Sequence, residues 1–495
     1  MVKSPAESGR SPMLDDPGVT LPRVLGPVDA ICLIVGSVIG SGIFLVPAKV
    51  ASEIHSIGGI VMVWVIGGLL SAAGALTLAE LGAMLPHAGG QYVYLREAYG
   101  RRAAFLFGWT EFLVVRAGSM ATLAAAFGRF CEEIIPAPWS SRAAAGGNGE
   151  LLWQMAIAVT AIATLSLLNV LGTRLGSGVQ VVGTILKVGM LLVMIFLPFG
   201  LGLADPSRLT PAWSSDLTMA GVMTALVSVL WAYDGWVNLT PLAEEVREPE
   251  KNIPRALILG MLLLILLYVS MTIVYHMVLP MEEIAGLADP IRAGGRGVAA
   301  VFWERLIGPA GITLISLVVM ASTFISLNGN ALTGPRAYFA MARDGLFPDR
   351  LRRLHSRFQT PANAILAQGI WAILLSVAAG LLVLAQARGY LGGTKAKPMY
   401  DILYTFVIFG GTIFYTLAIS SVFILRRTMP DLPRAYRTWA YPATPAIYVL
   451  VSGFLLINIL IQSPVESLAC LVVVVLGLPA YLHFQRRSDA RRRTT

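Results

Sequence analysis

The sequence predicts an all-α polytopic membrane protein of twelve transmembrane helices, on three observations. Long apolar segments recur along almost the whole chain, and mean hydropathy is +0.72. Charged residues make up only 13% of the chain, against roughly 25% in a soluble domain. The basic residues fall in short loops between the apolar segments, and not along one solvated face.

A bilayer core about 30 Å thick takes roughly 20 apolar residues per helix, because lipid offers backbone N–H and C=O groups no partner outside the helix itself. Segments that meet this demand run over 27–50, 57–84, 103–131, 151–171, 177–203, 218–243, 254–279, 307–340, 362–386, 400–425, 442–462 and 466–485. With the amino terminus inside, 25 of the 37 Lys and Arg residues lie on the cytoplasmic side and eight on the other. The positive-inside rule therefore puts both termini in the cytoplasm. The same asymmetry accounts for the net charge of +9 without a nucleic-acid partner.

Residues 1–22 are polar, contain four prolines and have no apolar run behind a basic start. They are expected to form a disordered cytoplasmic tail and not a signal peptide. Residues 23–485 are expected to form a single transmembrane domain, followed by a basic cytoplasmic tail over 486–495. The eighth segment is too long for one span, and its end, carrying Arg336, Arg343 and Asp344, is expected to project into the cytoplasm.

The first segment reads Val35-Gly36-Ser37-Val38-Ile39-Gly40-Ser41-Gly42-Ile43-Phe44 and closes at Pro47. Each interior glycine weakens a helix by about 1 kcal/mol, so a break is expected near Gly40. A second reading is a packing face, because Gly36 and Gly40 have the GxxxG spacing that lets membrane helices approach closely. The sixth segment places Asp234 beside Gly235 in Trp231-Ala232-Tyr233-Asp234-Gly235-Trp236 and closes at Pro241, so it too is expected to break. Segments one and six each open a group of five, the placement of inverted repeats that meet at a midplane site.

A broken helix leaves free N–H groups and a positive dipole end at the start of its second half. Ser41, Gly42 and Ile43 supply those donors, and the first half ends in carbonyls around Val38 and Ile39. An anion fits the donors and a cation the carbonyls. An α-amino acid carries both groups.

A charge at the bilayer centre costs roughly 2.5–3.5 kcal/mol, so each one must face protein or a cavity. Asp234 is open to three readings: a ligand for a substrate cation, a proton carrier, or the partner of an internal Lys or Arg. Lys187, deep in the fifth segment, can stand in a cation position, titrate, or form a static ion pair. Glu111 and Arg116 are five apart and on an α-helix point to different faces, so Arg116 reads as structural and the two are not expected to pair.

The three cysteines, Cys32, Cys131 and Cys470, have no CxxC spacing, and no disulfide is expected. The five histidines are scattered, so neither a metal site nor a cofactor is expected. The chain contains neither a Walker lysine motif nor a GxSxG elbow, which leaves ATP-driven pumping and hydrolase chemistry without a residue basis. The protein is expected to be a transporter and not an enzyme.

The ordered set of Gly40 to Phe44, Trp231 to Trp236, Glu244-Glu245 and Asn252-Ile253-Pro254-Arg255 resembles the amino acid–polyamine–organocation permeases. Asn328-Gly329, Thr333, Arg336, Ala342-Arg343-Asp344-Gly345 with Pro348, and Leu425-Arg426 with Pro430 to Pro433 extend the resemblance over most of the chain. It is strongest to the L-type branch, which includes the light chains of heteromeric amino acid transporters. The resemblance implies a fold like that of sodium-coupled leucine transporters: ten helices in two inverted repeats, with helices one and six interrupted, plus two more, working by alternating access.

It also implies an amino acid substrate whose carboxylate lies on the backbone of Ser41 and Gly42 and whose amine lies on the carbonyls of Val38, Trp231 and Ala232. Trp231 would gate the pocket, and Val115 and Ser119 would line room for the side chain. Lys187 would take a sodium's place and serve coupling. Where large-neutral members have a small residue, Asp234 matches members that accept cationic amino acids and cystine. Light chains carry an external cysteine past the third segment, whereas Cys131 comes before Pro136, so no covalent heavy-chain partner is expected.

These readings converge on a sodium-independent amino acid exchanger or permease in the plasma (inner) membrane, accepting cationic as well as neutral substrates. A proton-coupled symporter is the alternative. An amino acid receptor without transport is a reading of another class, and the short loops and tails give it no output domain.

Overall fold

A computed structural model describes residues 20–138, 148–210, 212–213, 217–288, 297–388 and 399–492. Its spans follow the apolar segments closely. The first is two helices, α1 (Pro27–Val38) and α2 (Gly42–Glu53), bent by 43° at their junction. The second is α3 (Ile57–Met84), after which a short amphipathic helix, α4 (Gln91–Tyr99), lies outside the expected spans. The third comprises α5 (Arg101–Thr110), a π-helical turn over Glu111–Val115, and α6 (Arg116–Ile134). The fourth and fifth are α7 (Asn148–Val170) and α8 (Thr173–Gly200).

The sixth span is again divided. Its first half is α9 (Met219–Ala232), and its second half is a 3-10 helix over Trp236–Glu245 with Pro241 inside. The seventh is α10 (Pro249–Val278), followed by two short helices, α11 (Met281–Gly286) and α12 (Val298–Ile307). The eighth is α13 (Ala310–Thr333) with its extension α14 (Pro335–Arg343). The last four are α15 (Ala362–Ala387), α16 (Met399–Thr428), α17 (Ala443–Gln462) and α18 (Pro464–Arg492). Among the described residues eleven helices are long and apolar enough to cross a membrane, and the bent α1–α2 pair, counted as one span, makes twelve. Among the described residues the one β pairing is an isolated bridge between Leu25 and Val246.

The structure adds detail to three expectations. The end of the eighth segment packs within the protein: Arg336 is fully buried, its Nε 2.7 Å from Glu245 Oε1 and its Nη2 3.0 Å from Thr173 Oγ1. A charge can be buried there because a carboxylate and a hydroxyl meet it. Most of the expected amino-terminal tail lies outside the described residues, but Leu21 is buried and donates its N–H to Glu244 at 2.8 Å. The expected carboxy-terminal tail begins as the continuation of α18 to Arg492.

The described ends of the chain meet at one face, held by the end of the sixth span and the end of α14. Arg343 pairs with Glu244 at 2.9 Å, Arg96 with Asp344 at 2.7 Å, and Tyr92 donates to Asp344 at 2.7 Å. Behind the helix breaks, Trp64, Tyr233 and Tyr268 pack edge-on or tilted with centroids 5.0–5.9 Å apart. The Tyr268 hydroxyl donates to the Val38 carbonyl at 3.0 Å. The core therefore reaches the break itself and fixes one of its loose carbonyls.

Candidate functional site

The two breaks interlock. At Gly42, the first residue of α2, an added Cβ would lie 2.7 Å from Ala232 Cα, so only glycine lets α2 approach the end of α9. Gly235 has φ +122°, and a Cβ there would lie 3.0 Å from the backbone of Ser37 and Val38. Each break thus seats a glycine against the backbone of the other. The break and packing readings of the first segment both hold in part: Gly40 lies within the break, while Gly36 packs against Thr184 and Gln180 of α8.

Ile39, Gly40 and Ser41 separate α1 from α2. Among the described residues the amides of Ser41, Gly42 and Ile43 make no backbone hydrogen bond, as expected for the first turn of a helix. Opposite them, the carbonyls of α1 are largely taken. Lys187 donates its Nζ to Gly36 O and Ile39 O, both at 2.6 Å, and to Ser326 Oγ at 2.9 Å. Ser322 adds a bond to Ile39 O at 2.8 Å. Among the described residues Lys187 makes no ion pair, so the static-pair reading falls away. It stands as a buried cation bound by neutral oxygens, tying α8 and α13 to the break.

A cavity of about 50 Å³ lies at the junction, lined by Ser37, Val38, Gly40, Ser41 and Gly42 from the first span. Ser119 and Arg116 line it from α6, Trp231, Ala232, Asp234 and Asn238 from the sixth span, and Asn330 and Tyr415 from α13 and α16. A second cavity of about 70 Å³ adjoins it between α3, α9, α16 and α17. Trp231, Asp234 and Tyr415 line both and form the partition.

The Asp234 carboxylate makes no ion pair among the described residues, so the internal-partner reading does not apply to it. Arg116 instead pairs with Glu111, Nε to Oε2 at 2.6 Å, against the expectation that these two would not meet. The π turn over Glu111–Val115 is the cause: it closes i→i+5, so residues five apart come onto one face. Arg116 Nη1 bonds Asn238 and also Asn330, while Nη2 has no partner among the described residues.

Of the residues expected to line the site, Val38, Ser41, Gly42, Ser119, Trp231, Ala232 and Asp234 share this cavity. Ile39 and Ile43 are fully buried and do not line it. Val115 packs instead with Val407, Phe409, Ile459 and Cys470. Arg116, three residues before Ser119 in the first turn of α6, lines the cavity with it. Asn238, Asn330 and Tyr415 escaped sequence reasoning, since three distant segments unite them only when packed.

A family model described as amino acid permease matches residues 25–478. The b(0,+)-type amino acid transporter 1 of Mus musculus is 31% identical over 470 residues, 94% of this chain and 88% of that protein. The serine/threonine exchanger SteT of Bacillus subtilis (strain 168) is 30% identical over 469 residues, 94% of this chain and 98% of the relative. The large neutral amino acids transporter small subunit 2 of Mus musculus is 29% identical over 472 residues, covering 94% and 81%.

Proposed function

Because the chain belongs to the amino acid permease family and is a membrane transporter, not an enzyme, we propose that it is a sodium-independent amino acid exchanger whose substrate head group binds at the paired helix breaks. The observation that carries this reading is the cavity bounded by free amides at Ser41 and Gly42 on one side and by Trp231, Ala232 and Asp234 on the other. The amides and the dipole end of α2 take the carboxylate. The end of α9 beside Asp234 takes the ammonium, because the carbonyls at the end of α1 already accept from Lys187, Ser322 and Tyr268. Relatives named as a b(0,+)-type amino acid transporter and a serine/threonine exchanger support the substrate class and the exchange mode.

Asp234 extends the substrate range to cationic side chains. With Glu111, Arg116 and Asp234 ionised, the arginine is matched by Glu111, and one negative charge remains beside the cavity. A lysine or arginine side chain reaching past Trp231 neutralises it. Lys187 supplies the positive charge at a position that needs one, which removes the requirement for sodium. Trp231, standing between the two cavities, gates the passage of the side chain.

In this reading the protein lies in the plasma (inner) membrane with both termini cytoplasmic, following its basic loops. It works without a covalent heavy-chain partner: Cys32 and Cys470 are buried, and Cys131 lies within α6. Proteoliposomes test the function. Uptake of labelled amino acid that requires amino acid inside and ignores an imposed pH gradient is the expected result. Accumulation driven by a proton gradient into empty vesicles overturns exchange in favour of proton symport, and binding without uptake makes the protein a receptor.

A further inference from the structure

An open cavity of about 670 Å³ lies far from the substrate site, on the face where the chain ends meet, between the turn after α14 and the end of α18. Arg343, Arg350, Arg352, Arg353 and Arg487 line it, with Asp344 and Asp349 as the acidic members. Two of these charges are already matched: Arg343 by Glu244 and Asp344 by Arg96. Asp349 also has a partner. Arg350, Arg352, Arg353 and Arg487 are exposed and make no ion pair among the described residues. The cavity is therefore a concentration of unmatched guanidinium groups, a planar donor set suited to phosphate oxygens.

Its floor is firm. Phe347 packs on Phe484 with ring centroids 5.8 Å apart, and Gly345, at φ +72°, lies so close to Ser488 that an added Cβ would be 2.9 Å from its Oγ. A second groove of about 580 Å³ runs on from it along α18, apolar along Pro479 and Leu482, bordered by His483 and Arg486, and sharing Arg487 with the basic cavity. Leu482 and Leu478 are exposed on this lipid-facing helix.

We propose that the basic cavity and the apolar groove together bind one anionic glycerophospholipid, its phosphate among Arg350, Arg353 and Arg487 and an acyl chain along Leu482. Basic pockets between membrane helices take acidic headgroups in this way. The continuity of the two concavities through Arg487 selects a lipid over a free phosphate, which has no use for the groove. The inner wall, Arg343 and Asp344, also holds Glu244 and Arg96, so the bound headgroup lies beside the ion pairs that close this face.

Native mass spectrometry of the full chain in detergent, with equal amounts of phosphatidylglycerol and phosphatidylcholine, tests the site. Phosphatidylglycerol is expected to be retained preferentially. The R350Q/R487Q variant is expected to lose more than about tenfold of that preference, each arginine near an anionic group being worth roughly fivefold. R427Q/R437Q, which removes the same charge from exposed positions elsewhere, keeps it. L482S weakens retention, and millimolar glycerophosphate does not displace the lipid. Equal retention of both lipids overturns the proposal, as does equal loss in the two double variants, which marks bulk charge. Displacement by glycerophosphate with L482S unaffected reduces the site to one for free anions.

Discussion

Asp234 and Lys187 show how single charges in lipid acquire meaning from what surrounds them. Asp234 lines both cavities without an ion-pair partner, so its carboxylate is available to a substrate. Asp234→Asn is expected to lower uptake of arginine and lysine by roughly 10- to 100-fold, the worth of a charge-assisted hydrogen bond, while leucine uptake falls far less. Radiolabelled uptake of the three amino acids side by side checks this, and an equal loss for all assigns the residue to structure or coupling. Lys187 binds three oxygens at the break, and no other cation does so among the described residues. Lys187→Ala is expected to abolish uptake while the detergent-solubilised protein remains monodisperse; normal transport would remove the lysine from the mechanism. Both residues were legible in the sequence because a charge inside a long apolar run is conspicuous. The burial of Arg336 was not legible because its partner, Glu245, comes from a segment 91 residues away.

At the scale of the element, the helix breaks were readable and the π turn was not. Gly40, Gly42 and Gly235 announce broken helices through their poor helix propensity, whereas Glu-Phe-Leu-Val-Val carries no such signal. The turn is held by the tertiary bonds of Arg116 with Glu111 and Asn238. Deleting Leu113 is expected to restore α-helical register with Glu111 and Arg116 four apart and still paired, but to rotate α5 relative to α6 and so lower the unfolding temperature. Leaving one charge of a buried pair unmatched costs about 3–5 kcal/mol, so Glu111→Gln alone should destabilise more than Glu111→Gln with Arg116→Gln. Thermal unfolding of the single and double variants decides it; additive losses would mean that the two side chains do not act as a pair. Where the breaks meet, Gly42→Ala would drive a methyl to 2.7 Å from Ala232 Cα. Uptake is expected to fall at least about tenfold, since misplacement of about 1 Å at a binding site costs on the order of 10²-fold. Ala232→Gly in the same chain is expected to restore part of it. The amphipathic α4 was missed because a helix of nine polar and apolar residues carries no signal of span length.

The molecule as a whole joins a rigid helical scaffold to two weak points placed opposite each other. Span number and limits were legible because lipid forces each crossing to declare itself as an apolar run. The cavity was half legible: its backbone groups follow from the breaks, but Asn238, Asn330 and Tyr415 enter only through packing. On the face where the chain ends meet, Glu244 and Glu245 at the end of the sixth span bind Arg343 and Arg336, so movement of that half-helix must break ion pairs there. The account stands on the paired breaks holding both ends of a zwitterion. Counterflow in proteoliposomes with a transported amino acid, its methyl ester and its decarboxylated amine tests this most directly. The account predicts exchange of the amino acid alone, each analogue losing at least about tenfold for the missing charged contact; ester or amine exchanged as fast as the amino acid would contradict it.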